Sequence, residues 1–240
     1  MKLEEIVEIE TPKILDKVKK EKRKNLLEYE AKTICKEYGL PTTNFKIARD
    51  KEEVVKVARE IGYPVVMKVV SPDVLHKTEF GGVVLNIEND EAVVNAYEQI
   101  IKNVKSKKED VNIEGVLIEE MVPKTEREVI IGGIKDNTFG HVIMFGIGGI
   151  WVEVLKDVSY RLVSILEEID AREMIKEVKG YKILTGIRGM KPVNEDMLVE
   201  MIMRTAKLFE KHPEIVELDL NPIAVYENSA KVLDARMILN

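Results

Sequence analysis

Cysteine is almost missing from this 240-residue sequence, which has one, together with one tryptophan, three histidines and only 5% aromatic residues. A single cysteine excludes an internal disulfide and any zinc site built on paired thiolates, and it suits a reducing compartment. No run approaches the roughly 18 apolar residues that would span a bilayer. The opening residues, MKLEEIVEIE, are acidic and lack the apolar centre of a secretory leader, so a cytoplasmic protein with no membrane association is expected. Surplus positive charge is absent too. With 37 Lys and Arg against 43 Asp and Glu the net charge is −6, which gives no electrostatic reason to expect a nucleic-acid partner. Internal repeats, low-complexity stretches and long linkers are also lacking.

What remains is the composition of a globular chain with a sizeable core, 45% apolar and 33% charged. Lys and Glu dominate the charge, as in heat-adapted proteins. The length suits one domain, or two closely joined subdomains sharing a site.

Helical and strand patterns alternate along the chain. A helix is expected over about residues 23–38, stopped by Gly39 and Pro41, with Leu27, Ala31, Ile34, Cys35 and Tyr38 as its buried stripe. The basic run KVKKEKRK just before it reads as a solvated helix face. A strand near 44–49 leads to a helix opened by a capping box of Asp50 and Glu53 and ended by Gly62. The strand YPVVMKVVS, a loop holding His76, the strand GGVVLNIE and a helix over about 90–104 follow. The second half reads as strands GVLIEEM, REVIIGGI, HVIMFGIGG and WVEVLKD, then helices near 159–178 and 195–211, the latter capped by Asn194. It closes on a hairpin, IVELDLNPIAVY and AKVLDARMIL. The expected class is α+β, with α/β subdomains over approximately 40–115 and 116–240 and N-terminal helices (12–38) packing on them.

Four features carry chemistry. Lys68 lies in PVVMKVV, on the same strand face as Val66 and Val70. A lysine placed there either runs its stem out to solvent or meets an anion such as phosphate. In ELDLN, Glu217, Asp219 and Asn221 share one strand face, and the turn brings Asp234 of the partner strand close to Asn221. That set fits a solvated polar face, or a hard cation such as Mg²⁺ that also takes phosphate and water oxygens. Gly146, Gly148 and Gly149 form either a tight turn or a backbone approach to phosphate. In SPDVLHKTEFGGV, Gly81 and Gly82 would lend a loop freedom to move, and its exposed His76 is inert, a general base, a metal ligand or a covalent acceptor. With no other His or Cys nearby, a metal-ligand role is the weakest of these. His141 and His212 read as structural.

The segments LLEYEAKTICKEYGLPTT, YPVVMKVVSPDVLHKTEFGGV, IEEMVPKTEREVIIGGIKDNTFGHVIMFGIGGIWVEVLKDVSYRL, ILTGIRG and ELDLNPIAV, spread over about residues 24–236, strongly resemble one family. It is the β subunits of ADP-forming acetyl-CoA synthetases, the ATP-grasp half of the nucleoside-diphosphate-forming acyl-CoA synthetases. The resemblance implies an ATP-grasp fold whose two α/β subdomains enclose a nucleotide cleft. It implies an acetate–CoA ligase (ADP-forming) activity, in which acyl-CoA, ADP and phosphate give acid, ATP and CoA. The phosphoryl group would pass from a CoA-binding α subunit, in an α₂β₂ assembly, to a histidine on a swinging loop and then to ADP.

Residue by residue, the SPD-x-x-HK-T motif makes His76 the phosphorylated residue and Asp219 its acidic partner. Lys68 is implied to hold nucleotide phosphates, and Glu119, Glu120, Met121 and Val122 to receive adenine through the backbone. Glu128 would lie on the nucleotide side of the cleft, Asn221 and Asp234 would hold Mg²⁺, and Arg188 in GIRG is a candidate phosphate contact. Two other readings use the same residues: an ATP-grasp carboxylate–amine ligase without a histidine relay, and a non-catalytic nucleotide-binding module.

Overall fold

The computed structural model describes residues 9–125, 127–148, 157–186, 189 and 191–240. The chain forms two compact units. The larger comprises the chain up to Leu26, Glu30–Thr42 and Lys124–Asn240; the smaller comprises Leu27–Tyr29 and Thr43–Pro123.

The helix expected over about 23–38 is the shorter α2 (Glu28–Glu37), and α1 (Thr11–Lys20) precedes it. They are separated at Lys22, whose φ of 56° lies outside the helical region. Leu27, Ala31, Ile34, Cys35 and Tyr38 are all buried, as their spacing requires. Burial pushes the Cys35 thiol up to about 12, so it is an inert core residue. The basic run is not uniformly solvated. The Arg23 side chain is 12% exposed and makes two hydrogen bonds to buried Glu30, of 3.0 and 2.9 Å.

The start of α1 is capped from another helix. The Glu37 carboxylate accepts from the N–H groups of Ile9 (3.1 Å), Glu10 (2.6 Å) and Thr11 (2.9 Å), and from the Thr11 hydroxyl (2.5 Å). Partial burial works to raise its pKa, but these hydrogen bonds outweigh it and hold the carboxyl below the ordinary glutamate value. Glu37→Gln is therefore expected to cost about 1 kcal/mol at neutral pH, the scale of a lost helix cap. A carboxyl with a depressed folded pKa contributes stability above its unfolded value and loses it as pH falls through its folded value. The difference between wild type and variant in urea titrations should thus shrink as pH drops below about 4.5.

The smaller unit is a four-stranded antiparallel sheet with two helices on one face. In chain order it runs β1 (Phe45–Ala48), α3 (Lys51–Ile61), β2 (Val65–Val70), β3 (Val83–Ile87), α4 (Asp90–Lys107) and β4 (Gly115–Glu120), with strand order β1-β4-β2-β3. Because β4 lies between β1 and β2, the change of unit falls after it, at Pro123, and not near residue 115. The Asp50 side chain accepts from the N–H groups of Glu52 and Glu53, while Glu53 reaches back to the N–H of Arg49 rather than to Asp50 itself. Strand alternation then sorts β2: Val65, Met67 and Val69 join the α3 and α4 core with Val54, Val93 and Ile100. Val66, Lys68 and Val70 take the other face, where Val70 packs with Leu27 and Leu117.

The larger unit is built on β5 (Glu128–Asp136), β6 (Gly140–Ile147), β7 (Val158–Leu162), β8 (Ile215–Val225), β9 (Ala230–Val232) and β10 (Ala235–Leu239). The order is β10-β8-β5-β6-β7, with β9 also on β8, and all pairs are antiparallel. Between β7 and β8 lie α5 (Glu168–Glu177), α6 (Tyr181–Leu184) and α7 (Glu195–Lys211). Residues 158–162, expected in a helix, are instead strand β7, paired with β6 from Val142↔Leu162 to Gly146↔Val158. Val158 and Tyr160 favour that extended edge; a single 3-10 turn (Val163–Ile165) follows, and α-helix starts only at Glu168. The expected strand WVEVLKD lies outside the described residues except for Asp157. Asn194 caps α7 as expected, accepting from the Asp196 and Met197 N–H groups. His212 is buried and its Nε2 lies 2.9 Å from the Tyr38 hydroxyl, while His141 rests on the Phe209 ring at 4.4 Å, so both are structural. No described helix is long and apolar enough to cross a membrane.

Candidate functional site

On the larger unit, one sheet face meets α7 and the other is acidic. Alternation along β8 puts Glu217, Asp219 and Asn221 on the acidic face, while Leu218 and Leu220 go into the core. The floor beside them is Gly132 of β5, directly opposite Asp219 in the ladder. A cavity of about 310 Å³ lies here, lined among others by Gly132, Met144, Tyr160, Glu217, Asp219 and Asn221. Across the other ladder Arg236 faces Asp219 and pairs with Glu217. Asp234 occupies the break between β9 and β10, and its carbonyl oxygen accepts from the Asn221 N–H at 3.2 Å. The structure thus brings Asp219, Asn221 and Asp234 into one neighbourhood, as the hairpin spacing required.

Electrostatics there favour a cation. Burial pushes the Asp219 carboxyl up to about 6; Arg236 opposes that shift, and the charges of Asp234 and Glu217 add to it. An added positive charge would relieve this repulsion. Among the described residues no group of three or more His, Cys, Asp or Glu is arranged to cage a metal. An amide and a carboxylate with room for further oxygens fit magnesium, which completes its shell with water and phosphate.

On the smaller unit the lysine does not run out to solvent. Lys68 donates to Glu28 Oε1 at 2.7 Å and lies 2.5 Å from Glu119 Oε1. Glu119 also accepts from the Thr43 hydroxyl at 2.5 Å. A second lysine, Lys77, lies 2.9 Å from the other Glu28 oxygen. Lys68, Lys77, Glu28 and Glu119 thus meet in a largely buried ionic cluster.

Lys77 follows His76 in the loop between β2 and β3. His76 itself is exposed. The loop around it is tied rather than free. Asp73 accepts from the Asn112 N–H (2.7 Å), Gly82 N–H donates to the Lys77 carbonyl (2.8 Å), and Asn103 donates to the Gly81 carbonyl (3.1 Å). Gly81, at φ 63°, needs glycine for its backbone. Gly82 needs it for space, since a Cβ would come 2.6 Å from Val69 Cγ1. The glycine pair thus serves packing and a turn as well as any freedom to move.

Of the hinge segment, Glu119 turns its side chain to Lys68, Glu120 N–H donates to the Asn44 carbonyl, and Met121 N–H donates to the Pro64 carbonyl. Both backbone donors are used inside the unit, and Val122 is half-buried just beyond them. Glu128, on the larger unit, opens β5 and accepts from the Gly148 N–H at 2.6 Å. Gly148 is required by that contact, because a Cβ would come 2.9 Å from Glu128 C. Gly149 and Arg188 lie outside the described residues.

The larger unit thus carries an acidic sheet face beside a cavity, and the smaller unit a lysine clamped between carboxylates. The profile of the ATP-grasp domain matches residues 17–239. The chain belongs to the ATP-grasp family. This ATP-grasp chain is 52% identical over 94% of its length to acetate–CoA ligase [ADP-forming] I subunit beta of Pyrococcus furiosus, 96% of which is covered. It is similar to a solved structure of Ca. Korarchaeum cryptofilum dinucleotide forming acetyl-coenzyme A synthetase 1 in complex with coenzyme A, Ca-AMPCP and HgCl+. The TM-score is 0.93 at 46% identity, covering 96% of this chain and 100% of that one. Another structure of that synthetase, with coenzyme A and Mg-AMPPCP, has its phosphohistidine segment pointing towards the nucleotide binding site. It matches with TM-score 0.85 at 44% identity, covering 96% and 100% of the two chains.

Two residues of the ATP-grasp chain escape a reading from sequence: Glu28 and Lys77. Glu28 looks like an ordinary first residue of a charged helix, and only the fold lays it under Lys68. Lys77 had a faint signal, its place directly after His76.

Proposed function

We propose that this chain is the nucleotide-binding β subunit of an ADP-forming acyl-CoA synthetase, acting in the cytoplasm with a CoA-binding α subunit. The reaction is acyl-CoA, ADP and phosphate to acid, ATP and CoA, reversibly, and the two chains assemble as α₂β₂. The supporting observation is His76: an exposed imidazole whose neighbour, Lys77, shares the Glu28 carboxylate with Lys68.

His76 is the carrier. Its neutral imidazole attacks, through one nitrogen, the phosphorus carried by the phosphohistidine of the α subunit, whose own P–N bond breaks as the new one forms; the other nitrogen keeps its proton, donated to Asp219. When an ADP β-phosphate oxygen attacks in turn, the P–N bond breaks as the P–O bond forms. The retained proton lets the ring leave as neutral imidazole. Lys68 holds the nucleotide phosphates against repulsion from the incoming group. With Glu120 and Met121 N–H groups engaged, donation to adenine falls on Val122, and Glu119 acts through its side chain on Lys68. Glu128 is assigned to the nucleotide and Arg188 to phosphate. Asn221 and Asp234 would hold Mg²⁺, which would supply positive charge to offset that of the phosphates.

Incubation with γ-labelled ATP and magnesium tests this reading. Label should appear on the chain, labile to acid and stable to base, and map to His76. An unlabelled chain that still binds ATP would point to a carboxylate–amine ligase without a relay and overturn the proposal.

A further inference from the structure

One row across the larger sheet sets a cation beside the acid that the chemistry needs. Arg236 of β10 lies directly opposite Asp219 of β8. On the other side of Asp219 comes Gly132 of β5, followed by Met144 of β6 and Tyr160 of β7. Residues opposite one another in antiparallel ladders share a face, so Arg236, Asp219 and the bare peptide of Gly132 follow each other at strand spacings of about 4.8 Å. Glu217, Asp219 and Asn221 line the cavity there and no basic residue does, so Arg236 is the cation that the ladder places beside it.

The guanidinium is held, but most of its donors are unused. Among the described residues its one hydrogen bond runs from Nη2 to Glu217, and the two side chains are 43% and 37% exposed. An ion pair so open to water adds little to stability, so fold stability alone is a weak reason for a guanidinium at this position. The pair does fix where the group stands. The remaining N–H groups form a planar fork that matches phosphate oxygens.

We propose that Arg236 is a further catalytic residue, held by Glu217 so that its unused donors meet the phosphoryl group as it passes between His76 and ADP. The inference rests on the reading of Asp219 as the acidic partner of His76. A phosphoryl group carries about two negative charges, and it arrives beside carboxylates that repel it. Arg236 offsets that repulsion without entering the covalent change. The P–N bond to His76 breaks, the P–O bond to the ADP β-phosphate forms, and the guanidinium keeps all its protons while donating to the non-bridging oxygens. Donors aimed at the transferring group act most strongly in the transition state, so their loss falls on the rate of transfer and not on ADP affinity.

Single-turnover transfer on the full chain tests this. Label from γ-labelled ATP and magnesium is loaded and then removed by excess ADP, quenched flow gives both rate constants, calorimetry gives ADP affinity, and thermal melting gives stability. Arg236→Met should slow both directions about 10²–10³-fold, the scale of one lost preorganised donor, with ADP affinity within about threefold of wild type. Arg236→Lys, a point charge without the fork, should remain about tenfold slow. Glu217→Gln breaks the same ion pair but keeps the cation, and should slow transfer less than Arg236→Met does. A role in the sheet alone would lower the melting temperature of Arg236→Met and Glu217→Gln alike and leave transfer within about threefold of wild type, which overturns the inference. Should Arg236→Met not fold, Arg236→Lys decides, and transfer within about threefold of wild type again overturns it. A wild-type chain that takes up no label fails the relay and this inference with it. A labelled wild type beside an unimpaired Arg236→Met fails the inference alone.

Discussion

His76→Ala should abolish ATP formation from acyl-CoA, ADP and phosphate, with a loss on the order of 10³-fold or more, as for removal of a covalent nucleophile. Two features make the expectation sharp. The imidazole is exposed, so its removal should change stability by only about 0.5 kcal/mol or less. The cluster that carries Lys68 does not use the ring at all, so ADP affinity should survive. His76→Asn serves as the polar control and should be equally dead, because an amide cannot accept and pass on a phosphoryl group. Assays with the α partner supplied in excess, alongside calorimetric ADP binding, read both quantities. A variant that turns over within tenfold of wild type would remove the relay from this chain.

Replacing Glu30 by alanine should cost stability on the largest scale expected of any single change here, about 3–5 kcal/mol, as when one partner of a buried ion pair is removed. Its side chain is 1% exposed and receives both Nη groups of Arg23, and Lys17 reaches it at 3.0 Å. Lys17 is 43% exposed, so its share is small. Most of the cost is Arg23, left largely buried without its forked partner. Burial works to lower the pKa of that guanidinium and the hydrogen bonds to Glu30 and Glu21 overcome it, raising the net value. A domain of this size has only about 5–15 kcal/mol in hand, so the loss is a large fraction. Glu30 belongs to the larger unit. Hydrogen exchange under mild urea should therefore show the larger unit opening first, with the core of β2, β4 and α4 still protected. Uniform loss across both units, or a change below 1 kcal/mol, would contradict the argument.

Much of the site was legible from strand arithmetic. A two-residue period was enough to put Glu217, Asp219 and Asn221 on one face, and a short turn was enough to bring Asp234 to Asn221. The same period placed Lys68 with Val66 and Val70. Its partners were not legible, because Glu28 lies 40 residues away and only the fold brings it under the strand. Arg23 misled for a similar reason: a run of basic residues looks solvated until one of them finds a buried carboxylate. Residues 158–162 show the limit of local pattern. The charged stretch after them is helical, but VSYRL obeys the unpaired edge of β6 rather than its own neighbours. The boundary after β4 was hidden as well, since a strand's membership is decided by the ladders it joins.

Gly132 has a consequence for how the acidic face can change. Where it lies opposite Asp219 the floor is bare peptide, and a methyl group added there would come 3.0 Å from Met144 Cε and 3.9 Å from Asp219 Oδ1. Met144 is flexible enough to give way by tenths of an ångström, so the strand itself need not move. One substitution at that point raises the floor while leaving the row of oxygens in register, so the cavity beside Asp219 can change its depth without any acid changing its place.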